Sequence, residues 1–124
     1  MAFLHDDVFD DGLDAGFAAV GDRLDICSQE PSSYAEATST YTLGNKTSLT
    51  ITGPSNGDIS GRKATVSAIT DGTVTGTGTA THIAVVDVSE TKLLATQSLA
   101  TPEGVTASET FTLTAFDVEI PDAT

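Results

Sequence analysis

The chain has one cysteine, no tryptophan and only five lysine and arginine residues among its 124. A single cysteine excludes an internal disulfide and a cysteine metal cluster. Five basic residues against 18 acidic ones leave a formal net charge of −13. That balance opposes any sequence-independent hold on nucleic acid, which requires cations to displace counterions, and it disfavours an anionic membrane surface for the same reason. Nothing approaches 18 consecutive apolar residues, and the first segment is acidic and broken by Asp6, Asp7, Asp10 and Asp11. Neither a membrane span nor a signal peptide is therefore expected. Aromatic residues are scarce at 6%, hydrophobic residues make up 39%, and serine plus threonine fill about a quarter of the chain. Such a composition suits many short, half-buried strands better than a thick core. The length predicts a single domain, 1–124.

Only residues 3–20 keep a helical period. Leu4, Val8, Leu13 and Phe17 recur on one side, with Asp6, Asp7, Asp10, Asp11 and Asp14 on the other. The spacing predicts an N-terminal amphipathic α-helix of about 25 Å ending at Gly21 as a left-handed cap. Gly12 and Gly16 weaken it, each by about 0.5–1 kcal/mol relative to alanine, so the helix depends on docking its stripe. The stripe has two possible seats, this chain's own sheet or another subunit. Gly12 and Gly16, four apart, leave room for a neighbouring backbone.

From residue 22 to 121 the period becomes that of strands. Arg23–Ser28 alternates, Ser33–Glu36 matches a capping box that opens a single helical turn, and Ser48–Thr52 alternates again. Gly53 to Gly61, dense with turn formers, reads as an exposed loop. Lys63–Ile69 alternates, Asp71-Gly72 gives the strongest hairpin signal, and His82–Val86 is the most apolar run and reads as a central strand. Thr101–Gly104 reads as another turn. In the last segment Phe111, Leu113 and Ala115 share one parity and Phe116, Val118 and Ile120 the other, as a bulge or a crossing between sheets requires; Pro121 closes the final strand. The fold class expected is mostly β: an antiparallel β-sandwich or flattened barrel of six to eight short strands with one N-terminal α-helix.

Candidate chemistry is sparse. Gly76–Thr81 has the glycines of a phosphate loop but lacks the Lys-Ser/Thr ending and the following helix, so it reads as strand. The acids of Asp6–Asp14 lack the spacing of a calcium loop, and His5 and His82 form no zinc pattern. Cys27 becomes a nucleophile only if a histidine approaches, and His82 is the candidate; alternation instead makes it a small half-buried thiol. A Ser28–His82–Asp87 set has no nucleophile-elbow sequence behind it. No catalytic residue, cofactor or metal is expected. Arg62-Lys63, the only basic doublet, is too small for a nucleic-acid footprint and suits pairing with an acidic patch on a neighbouring copy. The candidate assembly contacts are accordingly Leu4, Val8, Leu13, Phe17, Arg62 and Lys63.

Several segments stand out together: Leu24–Pro31 with Tyr34–Ala37, Leu43–Lys46, Gly61–Lys63, Ala68–Gly72, Thr77–His82 and the ending Phe111–Asp117. With these the chain resembles a group of small tailed-phage and prophage proteins encoded among virion structural genes. Where such proteins are often aromatic after the histidine, this chain has Ile83. The resemblance implies a non-enzymatic bacteriophage virion structural protein, made in the bacterial host cytoplasm and mounted in many copies on a symmetric particle. A capsid decoration or cement protein bridging capsid subunits is the first expectation. Its partners are then the major capsid protein or other virion proteins, with a homo-oligomer in the particle and neither nucleic acid nor membrane. The alternative is a tail, neck or fibre component whose β domain faces a receptor, with the loop Gly53–Gly61 as its binding element. A small hydrolase using Cys27 or Ser28 is a third, more distant reading.

Overall fold

The computed structural model describes residues 12–57 and 61–120. Nine strands carry these residues: β1 (Arg23–Cys27), β2 (Thr42–Thr47), β3 (Ile51–Asn56), β4 (Arg62–Val66), β5 (Ile69–Val74), β6 (Gly78–Asp87), β7 (Lys92–Val105), β8 (Thr110–Leu113) and β9 (Phe116–Ile120). The chain is mostly β with antiparallel sheets and little helix. The contacts divide the chain into two compact units. One holds the described residues up to Val20, Thr50–Ser67 and those from Ala115 on; the other holds Gly21–Leu49 and Ala68–Thr114. The parity reversal at Ala115 explains the division. β8 pairs with β5 in one sheet and β9 with β4 in the other, so the reversal is a crossing between sheets.

The larger unit is a six-stranded sheet in the order β7-β6-β1-β2-β5-β8, curled into a half-barrel. β1 lies inside it, antiparallel to both β2 and β6, and Leu24, Asp25, Ile26 and Cys27 are all buried. Both faces of β1 are thus covered, which alternation alone does not indicate. A helical turn, Glu36–Thr40, accounts for part of the cover. The expected capping box opens it: Ser33 Oγ accepts the Glu36 N–H at 3.1 Å. The Glu36 carboxylate reaches one residue further back than expected, accepting from the N–H and Oγ of Ser32 at 2.8 and 2.7 Å. Ala37 from this turn joins Cys27, Ala84 and Val86 in a closed cluster, with Tyr34, Tyr41 and Leu93 packed around it.

Three expected turns lie inside strands instead. Asp71-Gly72 belongs to β5, where Thr70 and Asp71 bulge opposite the single residue between Leu113 and Phe111 of β8. The ring of Phe111 occupies the space that a Cβ at Gly72 would fill. Thr101–Gly104 lies in β7, where Leu99–Pro102 bulge between the pairs His82↔Ser98 and Ala80↔Glu103. Gly53-Pro54 lies in β3, at a register shift between Thr52 and Ser55 that Gly53 permits with φ at 115°. The loop therefore shrinks to Gly57–Gly61, joined by Gly57 N–H to the Gly61 carbonyl at 2.9 Å; residues 58–60 lie outside the described residues. In each case the turn-forming residues serve a bulge, which needs the same backbone freedom as a hairpin.

The smaller unit is a three-stranded sheet, β3-β4-β9. Ala64 and Val66 of β4 are fully buried, while Lys63, Thr65 and Asp117 form a polar ladder: Lys63 Nζ lies 3.2 Å from Asp117 Oδ2, and Thr65 Oγ1 donates to Asp117 Oδ1 at 2.7 Å. Of the helix expected over 3–20, residues 3–11 lie outside the described residues. The chain is helical from Gly12, and from Asp14 to Ala18 the turn widens to π geometry. It packs on β3 and β4 of the same unit. Gly21 does not cap it: the left-handed glycines among the described residues are Gly53 and Gly61.

Leu13 and Phe17, at 2% and 5% exposure, are buried within the chain itself. Truncating Phe17 to alanine is expected to lower unfolding free energy by about 3–5 kcal/mol in a urea titration. Gly16, by contrast, is exposed, with open space where a Cβ would sit. Gly16→Ala is expected to be neutral or to stabilise by up to about 1 kcal/mol. An unchanged Phe17→Ala variant would return the stripe to an external partner.

Candidate functional site

Reactive groups gather on β1 and its neighbours. Arg23 and Asp25, two apart on one strand, point to the same face. There the guanidinium grips the carboxylate with both arms: Nε donates to Oδ2 at 2.9 Å and Nη2 to Oδ1 at 2.8 Å, while Thr42 Oγ1 adds a third bond to Oδ1 at 2.9 Å. Asp25 is completely buried. Burial pushes its carboxyl above the usual range, and Arg23 and Thr42 pull against that. The Arg23 guanidinium is held more firmly protonated by the same hydrogen bond. Sequence reading missed this site. Its only signal was an acid two residues from an arginine inside a strand otherwise apolar enough to be buried.

Cys27 lies at the end of the same strand, in register with His82 of β6. The sheet therefore brings together the pair that nucleophilic chemistry requires, but their side chains bond elsewhere. The thiol points to the carbonyls of Ala37 at 3.6 Å and Asp25 at 4.0 Å. His82 Nδ1 lies 2.9 Å from Thr81 Oγ1, and its Nε2 lies 3.7 Å from Glu30 Oε2. Burial, aided by the Asp25 charge, pushes the Cys27 thiol up to about 12. A thiol so held is no nucleophile at neutral pH. It is fully rather than half buried. Ser28 is exposed, and Asp87, an odd number of residues from His82 on β6, accepts the Glu90 N–H at 3.2 Å to close the Val88–Thr91 turn. The strand's alternation puts His82 and Asp87 on opposite faces, so the three do not assemble.

The glycines of Gly76–Thr81 serve packing. Gly76 N–H and Thr75 N–H both donate to the Leu43 carbonyl, at 3.1 and 2.8 Å, and the Leu43 side chain lies against Gly78. His5 and all of Asp6–Asp11 lie outside the described residues; among the described residues no three His, Cys, Asp or Glu side chains group as metal ligands, and no helix is long and apolar enough to cross a membrane.

The curl of the larger sheet leaves a groove of about 310 Å³ between β7 and β8, floored by Ile26, Ala80, Leu99, Val105, Phe111 and Leu113. Glu103 stands on its rim, and a neighbouring recess of about 260 Å³ adds Glu109. This is a mostly apolar slot with an acidic edge. It offers contact surface without a convergent set of reactive groups. Of the expected assembly contacts, Leu4 and Val8 lie outside the described residues, and Leu13 and Phe17 are buried. Arg62 and Lys63 are half-buried in β4, with Arg62 Nη1 donating to Asn56 Oδ1 at 2.6 Å. Comparison with protein-family models, curated proteins and solved structures yields no significant match.

Two outcomes follow from the β1 geometry. A folded carboxyl raised above its unfolded value of about 3.9 contributes most to stability below that value and loses the contribution as pH rises through the folded value. Arg23→Ala removes what opposes the rise, so it is expected to cost about 3–5 kcal/mol near pH 7.5 and distinctly less near pH 5, by urea titration at each pH. A deficit equal at both would mean that Asp25 stays ionised without its partner. Separately, Cys27 in the native chain is expected to resist a maleimide reagent at neutral pH and to react stoichiometrically once unfolded; labelling as fast as a free thiol would contradict its burial.

Proposed function

We propose that the chain is a non-enzymatic structural protein of a tailed-phage particle, acting as a capsid decoration or cement protein that bridges neighbouring capsid subunits. The observation that carries this reading is how the chain uses its reactive side chains. Arg23, Asp25, Thr42 and Cys27 are all engaged in holding the larger sheet together, and Lys63, Thr65 and Asp117 do the same for the smaller. Among the described residues the surface offers a groove, strand edges and acidic side chains. Those are features of a part that is mounted rather than of one that turns over substrate. The resemblance of Leu24–Pro31 and the later segments to small virion proteins supports the same reading, and a net charge of −13 keeps unassembled copies soluble.

The groove between β7 and β8 favours a second reading: a tail, neck or fibre component whose larger unit meets a receptor. The segment expected to bind in that case, Gly53–Gly61, is half strand, so the groove would take its place.

Copies per particle separate the readings. Quantitative mass spectrometry on purified virions, with the major capsid protein as internal standard, is expected to give a ratio comparable to that protein. A ratio lower by one or two orders of magnitude would select the tail, neck or fibre reading, and absence from the particle would overturn both.

A further inference from the structure

Consecutive strands joined by a connection as short as residues 106–109 ordinarily pair as a hairpin. β7 and β8 do not. Among the described residues β7 pairs with β6 and β8 with β5, at opposite ends of the sheet order. The connection is tied down elsewhere: Ser108 N–H donates to the Val74 carbonyl and Val74 N–H to the Glu109 carbonyl, each at 2.9 Å, and Ala107 N–H donates to Thr77 Oγ1 at 3.1 Å. The groove and its neighbouring recess occupy the gap between the two strands. They share Glu103, Val105, Phe111 and Thr112, so they form one continuous slot, walled by residues between 99 and 106 on one side and by 109–114 on the other. At the rise of a strand the second wall is about 17 Å long.

We infer that this slot seats an extended, basic segment of a different protein, with its apolar side chains on the floor of Ile26, Phe111 and Leu113 and a lysine or arginine against Glu103 and Glu109. Length selects a polypeptide: an open slot of this extent follows an extended chain of about five or six residues, whose alternate side chains meet the floor and the rim. Charge selects its sign. Glu103 and Glu109 are exposed, and neither has a cation partner among the described residues. None of the chain's five basic residues lines the slot. A second copy does not supply the segment, because its net charge of −13 repels it and its one basic doublet, Arg62-Lys63, is half-buried within β4. The inference concerns what the slot accepts, whether the partner is a capsid protein or a receptor, and a count of copies per particle can fail without it.

An NMR titration of the ¹⁵N-labelled full chain tests it, with a capped six-residue peptide of alternating valine and lysine, in about 0.15 M salt to screen distant charges. Saturable binding is expected below about 1 mM, with the amide shifts concentrated in residues 99–114. Glu103→Gln and Glu109→Gln are each expected to weaken it about two- to fivefold. Glu30→Gln and Glu90→Gln, whose carboxylates are also exposed but lie outside the slot, are expected to leave it unchanged. Replacing the peptide's valines by serine is expected to weaken binding by about tenfold or more. No binding up to the same limit overturns the inference. So do shifts spread over the whole surface, a serine peptide that binds as tightly as the valine one, or a loss at Glu30→Gln equal to that at Glu103→Gln, since each means diffuse attraction to an acidic chain. Hexylammonium bound as tightly as the peptide also overturns it, because the slot then takes a small organic cation.

Discussion

The buried carboxylate of Asp25 constrains the larger unit more than any other group. A carboxylate without partners in that position would cost several kcal/mol, so the sheet can close over β1 only if Arg23 and Thr42 reach it. Arg23 lies on the same strand and is always at hand. Thr42 lies on β2, beside the one irregularity in the β1–β2 register, between Ile26 and Cys27. The same Thr42 hydroxyl lies 3.1 Å from the Gly44 carbonyl and 3.3 Å from the Gly44 nitrogen, so it fixes the start of β2 while completing the carboxylate's bonding. A slip of β2 by one residue would turn Thr42 to the other face and leave Asp25 short of a donor. The polar cluster therefore does for register what an apolar side chain in its place would not.

Curvature rests on close approaches. Gly44 lies so near the backbone of Thr73 and Val74 that a Cβ would overlap the Thr73 carbonyl, and Gly72 yields its space to the Phe111 ring. Both glycines lie on the path from β2 through β5 to β8. β8, at the end of that path, contributes Phe111 and Leu113 to the groove. An aromatic ring laid over a strand glycine restores the packing that the glycine lacks, and the adjacent bulge increases the local twist.

Much of this was legible in the sequence. Alternation located β1, β4 and β9, the apolar run His82–Val86 marked the inner half of β6, the capping box marked the Glu36–Thr40 turn, and the parity reversal at Ala115 marked a change of sheet. Three misreadings share one cause. Asp71-Gly72, Gly53-Pro54 and Thr101–Gly104 have the residues of turns, and a bulge demands the same residues, so local chemistry does not distinguish a chain that reverses from one that bends. Asp25 was hidden for a different reason. Alternation assigns the odd positions of Arg23–Cys27 to solvent, and only the turn packed over that face, carrying Ala37 onto Cys27, makes them interior. The candidate contacts divide the same way. An apolar stripe reads identically whether its seat is its own sheet or a neighbour's, and Leu13 and Phe17 take their own.

The placement of charge follows from what the scaffold tolerates. Glu30, Asp71, Glu90, Glu103, Glu109 and Glu119 are all exposed, where water solvates them. Among the described residues Asp25 and Asp87 are the buried acids, and each is given donors: Asp25 by Arg23 and Thr42, Asp87 by the N–H of Glu90. Asp117, half-buried in β9, is held by Lys63 and Thr65. A chain this acidic can close its sheets because each carboxylate that leaves water gains a donor in exchange, whereas those at the surface need none.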